Sequence, residues 1–286
     1  MSGGAGRIAA RFARLRAEER GGLIPFLEAY DPDAATSMAI LRGLPGAGAD
    51  LIEIGVPFTD PAADGPTIQR AGQRALRAGG SMPGTLDMVR EFRLEDNETP
   101  IVLMGYLNPI LSYGPDQFCS DTMAAGVDGI IVVDMPAEEA DELASHLDAS
   151  GLDLIRLVAP TTNDARLPLV LKGAGGFVYH VAIAGITGTR SAAAEDLALA
   201  IPRVRAHTSL PIAIGFGVRT PEQAAQAVRV ADAAVVASVL IETLAASLDA
   251  EGRAQPDTVG QVLDQVRGLA KAVREARVGV EAPAFA

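Results

Sequence analysis

Between residues 23 and 237 the chain sets down eight short, almost continuously apolar runs, separated by stretches with helical spacing or turn composition. The runs lie at 23–29 (LIPFLEA), 50–55, 100–105 (PIVLMG), 128–133 (DGIIVV), 153–159, 175–182 (GGFVYHVA), 210–215 and 232–237. A strand that is apolar at nearly every position is buried on both faces, as parallel strands are when helices cover them. Eight alternations in one chain predict an α/β protein built as a single (β/α)8 TIM barrel rather than an open doubly wound sheet. No GxGxxG follows the first run, which also argues against a dinucleotide-binding sheet.

Helices are expected at 66–78, 85–93, 115–125, 137–149, 164–172, 194–206 and 220–230, where Thr220, Pro221 and Gln223 supply an N-cap, a first-turn proline and a capping-box partner. Asp31 and Pro32 read as the cap and first turn of a helix carrying Met38, Ile40 and Leu41. Ile8, Phe12 and Leu15 mark an extra N-terminal amphipathic helix over 7–18. Residues 7–278 are expected to form the one barrel domain, with 1–6 and 279–286 as flexible ends.

Barrel enzymes place their chemistry at the C-terminal ends of the strands. Glu53, Tyr106, Asp134, Tyr179 and the turn Gly215-Phe216-Gly217 all lie at such ends. The stretch EIGVPFTDPAADGPTIQ (53–69) is the densest of these places, with a glutamate in an apolar strand, a loop carrying Asp60 and Asp64, and a helix start at Pro66. Glu53 reads either as a structurally satisfied acid or as a carboxyl lifted toward neutrality for proton transfer. Asp64 reads either as a helix cap or as an acceptor for a ligand N–H. Gly217 and Ser238, after the last two strands, fit the recurrent barrel phosphate site, and AGITG (184–188) reads as a surface loop or a lid. His180, alone within a strand, reads as a core residue. Tyr106 and Tyr179 either line a pocket for a flat aromatic ligand or close the barrel top. The residues alone therefore point to a phosphate-binding barrel with a candidate acid-base carboxylate.

Composition narrows the classes further. The 286 residues are 49% hydrophobic and 21% charged, with no apolar run long enough to span a membrane. A net charge of −12 without a basic patch argues against nucleic-acid or anionic-membrane partners. The single Cys119 cannot form an internal disulfide, and His146, His180 and His207 lack ligand spacing, so no metal site is expected. The basic N-terminus has no secretory apolar core, and a cytoplasmic home is the expectation.

EIGVPFTDPAADGPTIQRA closely resembles the signature of the tryptophan synthase alpha chain family, commonly near ELGVPFSDPLADGPTIQ. PIVLMGYLNPI (100–110), GVDGIIVVDMP (126–136), GFVYHVAIAGITG (176–188) and PIAIGFGVRTPEQ (211–223) resemble its further blocks in the same order. The resemblance spans roughly residues 8–245. It implies a barrel lyase of tryptophan biosynthesis that cleaves indole-3-glycerol phosphate to indole and glyceraldehyde 3-phosphate, with no cofactor on this chain. It further implies an α2β2 assembly with a beta chain that carries pyridoxal phosphate. By position, Glu53 resembles the family's acid-base group and Asp64 the carboxylate at the indole N–H. Phe26, Tyr106 and Phe216 would flank the indole, Tyr179 and Thr187 would orient the base and the loops, and Gly188, Gly217, Ala237 and Ser238 fall at the phosphate contacts. Asp60 resembles part of the partner surface.

This chain also departs from the pattern. FLEAYDP (26–32) stands where a T-A-G-D-P segment is usual, so Glu28 and Tyr30 would alter the pocket if both point inward. Ala62 replaces a larger apolar residue, and Ala182, Ile183 and Ala184 are more apolar than usual. Ala237 replaces a glycine but keeps the N–H, so the phosphate contact survives where its φ permits. Two other readings remain open: a weakened subunit that binds and activates a beta chain, and a stand-alone indole-producing lyase.

Overall fold

The computed structural model describes residues 6–181, 190–215 and 217–277, with backbone alone at 141, 142, 144, 148 and 190–195. The first half runs α1 Arg7–Ala17, β1 Gly22–Glu28, α2 Ala34–Ala47, β2 Ile52–Gly55, α3 Pro66–Arg77, α4 Met82–Arg93, β3 Ile101–Gly105, α5 Leu107–Tyr113, α6 Pro115–Ala125 and β4 Gly129–Val132. A 3-10 turn, Ala137–Glu139, leads into α7 Ala140–Ser150. The second half continues with β5 Asp153–Leu154, β6 Arg156–Val158, α8 Leu167–Val170, β7 Val178–Val181, α9 Arg190–Arg205, β8 Ile212–Gly215, α10 Pro221–Val230, β9 Ala233–Val236, α11 Ser238–Ala246 and α12 Thr258–Glu275.

Every strand pairing is parallel, in the order β5-β4-β3-β2-β1-β9-β8-β7-β6. β5 and β6 are the two halves of one barrel strand. Ile155 N donates to Ile130 O on the β4 side at 2.9 Å, while Leu154 O accepts from Gly175 N on the β7 side, also at 2.9 Å. The expected eight-stranded barrel is thus closed through residues 153–158.

Alternation along each strand sends side chains to two layers. Inside the barrel sit Ile24, Leu51, Val102, Ile131, Ile155 and Val235, all buried, and α1 adds Ile8, Phe12 and Leu15 to that cluster. Phe12 packs on Phe177, just before β7, with ring centroids 5.8 Å apart. The anticipated N-terminal helix therefore plugs the end where strands begin. Burying its three apolar side chains contributes on the order of 5 kcal/mol before entropy is counted. Asp50, paired with Arg20 at 2.9 Å, and Asp128, paired with Arg93 at 2.9 Å, lie before β2 and β4 and brace that same end. Among the described residues the opposite mouth is left for a ligand. The outer layer joins the sheet to the helices through Leu23, Ile54, Leu103, Ile130 and Ile214. His180 is buried on the same face of β7 as Val178, in that helix-side core rather than in the mouth.

Several helix boundaries differ from the sequence expectation. Asp33, not Asp31, caps α2 by accepting from Thr36 N at 2.8 Å. Asp31 is held instead by Arg74 of α3 at 2.6 and 2.7 Å, and the Asp31-Pro32 bond is cis. α4 starts at Met82, earlier than expected, because Ser81 caps it and Pro83 fits its first turn. The capping box at Thr220 forms as the sequence implied. The helices α5, α11 and α12 were not anticipated. α5 is hidden in the run that ends β3, and the other two follow the last recognised strand.

Candidate active site

β2 delivers Glu53 to the mouth, in register with Phe26 of β1 and Val102 of β3. Its side chain is 1% exposed, and Oε2 makes no hydrogen bond among the described residues. Burial, followed by the negative field of Asp64, lifts its pKa to about 8. A buried carboxyl with an orphan oxygen is costly unless a ligand completes it. Tyr179 of β7 lies within the field of Glu53, and burial first and that charge second push its phenol well above the usual range. A β-carbon at residue 215 would overlap the Tyr179 ring and hydroxyl, so Gly215 is the residue that lets the phenol lie against β8.

Asp64 does not cap α3. The N-cap is Gly65, with no side-chain bond, and Asp64 Oδ2 instead accepts from the Tyr106 hydroxyl at 2.9 Å. The same Tyr106 oxygen accepts from Ala63 N at 3.0 Å, and Gln69 Nε2 donates to Asp64 O at 3.0 Å. Burial raises the Asp64 pKa and the Tyr106 bond opposes that rise.

Glu53, Asp64, Phe26 and Tyr179 line one cavity of about 310 Å³, within the range of small-molecule sites. Gly217, Ala237 and Ser238 complete another part of its wall. α11 begins at Ser238, and its N-cap Ala237 offers no side-chain cap, so the first-turn amides at the cavity wall suit an anion. Ala237 has φ −121°, an ordinary value for an L residue, and the glycine-to-alanine change costs no left-handed strain.

The other singled-out residues divide as follows. Tyr106 reaches Asp64 but lines a small adjoining cavity rather than the large one, with its ring 5.2 Å from that of Phe58. Asp134 accepts from Leu107 N at 2.8 Å and starts α5. Asp60 and Ala62 are exposed on the loop before α3. Thr187, Gly188 and Phe216, and the segment 182–189 that includes AGITG and Ala182 to Ala184, lie outside the described residues. Glu28 points inward: it is 5% exposed, lies against Gly55 and Phe26, and shares the small cavity with Asp64 and Tyr106. Burial, then Asp64 and Asp31, push its pKa well up, against the pull of Arg74. Tyr30 points elsewhere. It has φ 69° and packs on Gly80 and Gly84 at the start of α4, leaving the mouth unchanged.

Sequence reasoning overlooked Arg219 and the apolar wall made by Ile68, Met104, Leu157 and Val235. Ile68 sits inside the 53–69 stretch and Arg219 directly follows the glycine turn, so position offered a signal for both. The wall residues on β3, β6 and β9 become visible only once the inward face of each strand is known.

Comparison with known proteins bears on what this mouth does. The sequence profile described as "Tryptophan synthase alpha chain" matches residues 12–274. A tryptophan synthase alpha chain of Gluconacetobacter diazotrophicus is 66% identical over 271 residues, covering 95% of this chain and 99% of that protein. One from Acidiphilium cryptum is 65% identical, covering 95% and 98%. The crystal structure of tryptophan synthase subunit alpha from Legionella pneumophila superposes with a TM-score of 0.86 at 36% identity, covering 94% of this chain and 98% of that one.

Proposed function

The chain belongs to the tryptophan synthase alpha chain family, which cleaves indole-3-glycerol phosphate to indole and glyceraldehyde 3-phosphate, and on that premise we propose that Glu53 and Asp64 divide the retro-aldol chemistry between them. The observation that carries this reading is one cavity lined by two acids, of which Glu53 is fully buried with an orphan oxygen and Asp64 is tied to the Tyr106 hydroxyl. Burial lifts the Glu53 pKa to about 8, which favours a protonated carboxyl at neutral pH, while the Tyr106 hydroxyl donated to Asp64 opposes the rise that burial gives that second acid.

Glu53 gives its proton to indole C3, which becomes tetrahedral and leaves positive charge on the ring nitrogen. Asp64 accepts the N–H hydrogen bond and stabilises that charge most where it is fully developed. The Glu53 carboxylate then takes the proton of the hydroxyl on the carbon attached to C3. The carbon-carbon bond breaks, its electron pair returns to the ring to give indole, the glycerol part leaves as the aldehyde, and Glu53 is protonated again. Phe26 and the apolar wall enclose the ring, Tyr179 packs beside the base, and the amides at Gly217, Ala237 and Ser238 take the phosphate. Thr187, Gly188 and Phe216 complete these contacts by their positions in the family motif, and Tyr106 acts through Asp64.

No organic cofactor or metal takes part in these steps on this chain. A pyridoxal-phosphate-dependent beta chain is the proposed partner, in an α2β2 assembly, with the exposed Asp60 loop on its contact surface and the cytoplasm as the compartment. Among the described residues no helix is long and apolar enough to cross a membrane. Indole release from indole-3-glycerol phosphate by the purified chain, alone and with a beta chain added, tests the reading. Turnover that rises when the partner is added supports it. No release under either condition, with the partner still activated, would favour a regulatory subunit, and full turnover alone a self-sufficient lyase.

A further inference from the structure

Arg219 is the only cationic side chain among the described residues lining the large cavity, which Gly217, two residues before it, and Ala237 and Ser238 also line. Its backbone is fixed: Arg219 N donates to Gln223 Oε1 at 2.8 Å, the side chain that also closes the capping box of α10. The guanidinium leans toward α11 and forms a two-point pair with Glu242, Nη1 lying 3.2 Å from Oε1 and Nη2 bonding Oε2. Glu242 follows Ser238 by four residues, so it stands one turn along the helix whose first amides face the cavity. It also accepts from the Thr67 hydroxyl of α3 at 3.3 Å.

Resting on the proposed use of this mouth for a phosphorylated substrate, we infer that Arg219 is a specificity-determining ligand of the phosphate, held beside the anion site by Glu242. A phosphate entering a cavity that also holds two acids is favoured by a cation as well as by amide dipoles. Arginine carries five N–H donors, and the pair with Glu242 is made through the two terminal nitrogens, so its Nε–H is not part of it. The pair is half-exposed, with side chains 48% and 39% accessible. Such pairs are worth about 1 kcal/mol at most, so a dianion can share or take the guanidinium at little cost. Glu242 thereby keeps a long, flexible side chain near the place it serves, and its own charge is balanced while the site is empty.

The test compares Arg219→Ala, Arg219→Lys and Glu242→Gln with the wild type. Steady-state kinetics use indole-3-glycerol phosphate, and binding uses indole-3-propanol phosphate against unphosphorylated indole-3-propanol. Arg219→Ala is expected to raise KM and the Kd of the phosphorylated analogue about 10- to 100-fold, with kcat within about twofold and the unphosphorylated analogue bound as before. Arg219→Lys should recover part of the loss, and Glu242→Gln, which keeps an acceptor for the guanidinium, should raise KM far less than Arg219→Ala. Unchanged KM in Arg219→Ala would overturn the inference. So would equal losses in Arg219→Ala and Glu242→Gln, because that is the signature of a merely structural tie. Failure of the wild type itself to bind indole-3-propanol phosphate would instead overturn the reading of the mouth, and this inference with it.

Discussion

The Tyr106 hydroxyl gives its hydrogen to Asp64 Oδ2 at 2.9 Å and accepts the Ala63 amide at 3.0 Å, so one phenol fixes both the carboxylate and the loop that carries it. Removing it in Tyr106→Phe leaves the ring packing and deletes both bonds. A hydrogen bond to a charged group is worth about 1.5–3 kcal/mol, so kcat/KM should fall roughly 10- to 100-fold. Because this bond holds the Asp64 pKa down against burial, the acid limb of the kcat/KM profile should also move to higher pH. A pH-rate series on the variant checks both effects.

Asp64→Asn keeps the shape at the ring nitrogen and removes the charge. The lost interaction is strongest with the charged intermediate, so kcat should drop about 100-fold or more while KM changes far less. Steady-state kinetics separate the two. A rise in KM alone would assign Asp64 to ground-state binding.

Glu53 contributes to the pH dependence of stability and, in the proposed mechanism, to that of the rate. Its folded pKa lies above the ordinary 4.5, at about 8. The stability associated with its protonated burial is therefore complete below about 4.5 and is lost as pH rises to about 8. Glu53→Gln does not titrate, so it should melt with the wild type near pH 4.5 and several degrees above it at pH 8. Thermal melts of both proteins at the two pH values test this. In the wild type the same titration predicts that kcat/KM declines above pH 8, where the free enzyme has lost the proton C3 needs.

Gly215 is where β8 lets the Tyr179 phenol lie close. Gly215→Ala forces that ring to move, at a cost of about 1–3 kcal/mol for overpacking. Displacing Tyr179 also disturbs the neighbour of Glu53, so kcat should fall beyond what the lost stability explains. Denaturant unfolding and kcat measured on the same preparation distinguish the two losses.

How much of this could be read from the chain varied with the kind of signal. The eight strands and the capping box at Thr220 were legible because apolar runs and cap residues are local patterns. Glu53 and Asp64 were legible as candidates, yet spacing left each with a structural alternative. What removed the capping alternative for Asp64 was Tyr106, 42 residues away in sequence and bonded to it in space. The helix start placed at Asp31 failed for a similar reason, since Arg74 claims that carboxylate from another helix. Glu28 and Tyr30 share one unusual segment but face opposite ways: Tyr30 adopts positive φ and packs on α4, while Glu28 turns inward beside Asp64. Sequence alone carries no sign of that divergence. Arg219 was overlooked because a cation after a glycine turn is ordinary until the cavity wall is seen.

In the proposed mechanism the Glu53 carboxyl carries hydrogen between the hydroxyl and indole C3, and turnover by Glu53→Gln probes that role without an intermediary. Indole formation from saturating indole-3-glycerol phosphate, with beta chain present and folding verified by circular dichroism, should fall about 1,000-fold or more, beyond the loss of a peripheral contact. Turnover within a few-fold of wild type in a folded Glu53→Gln protein would rule out proton transfer by this carboxyl.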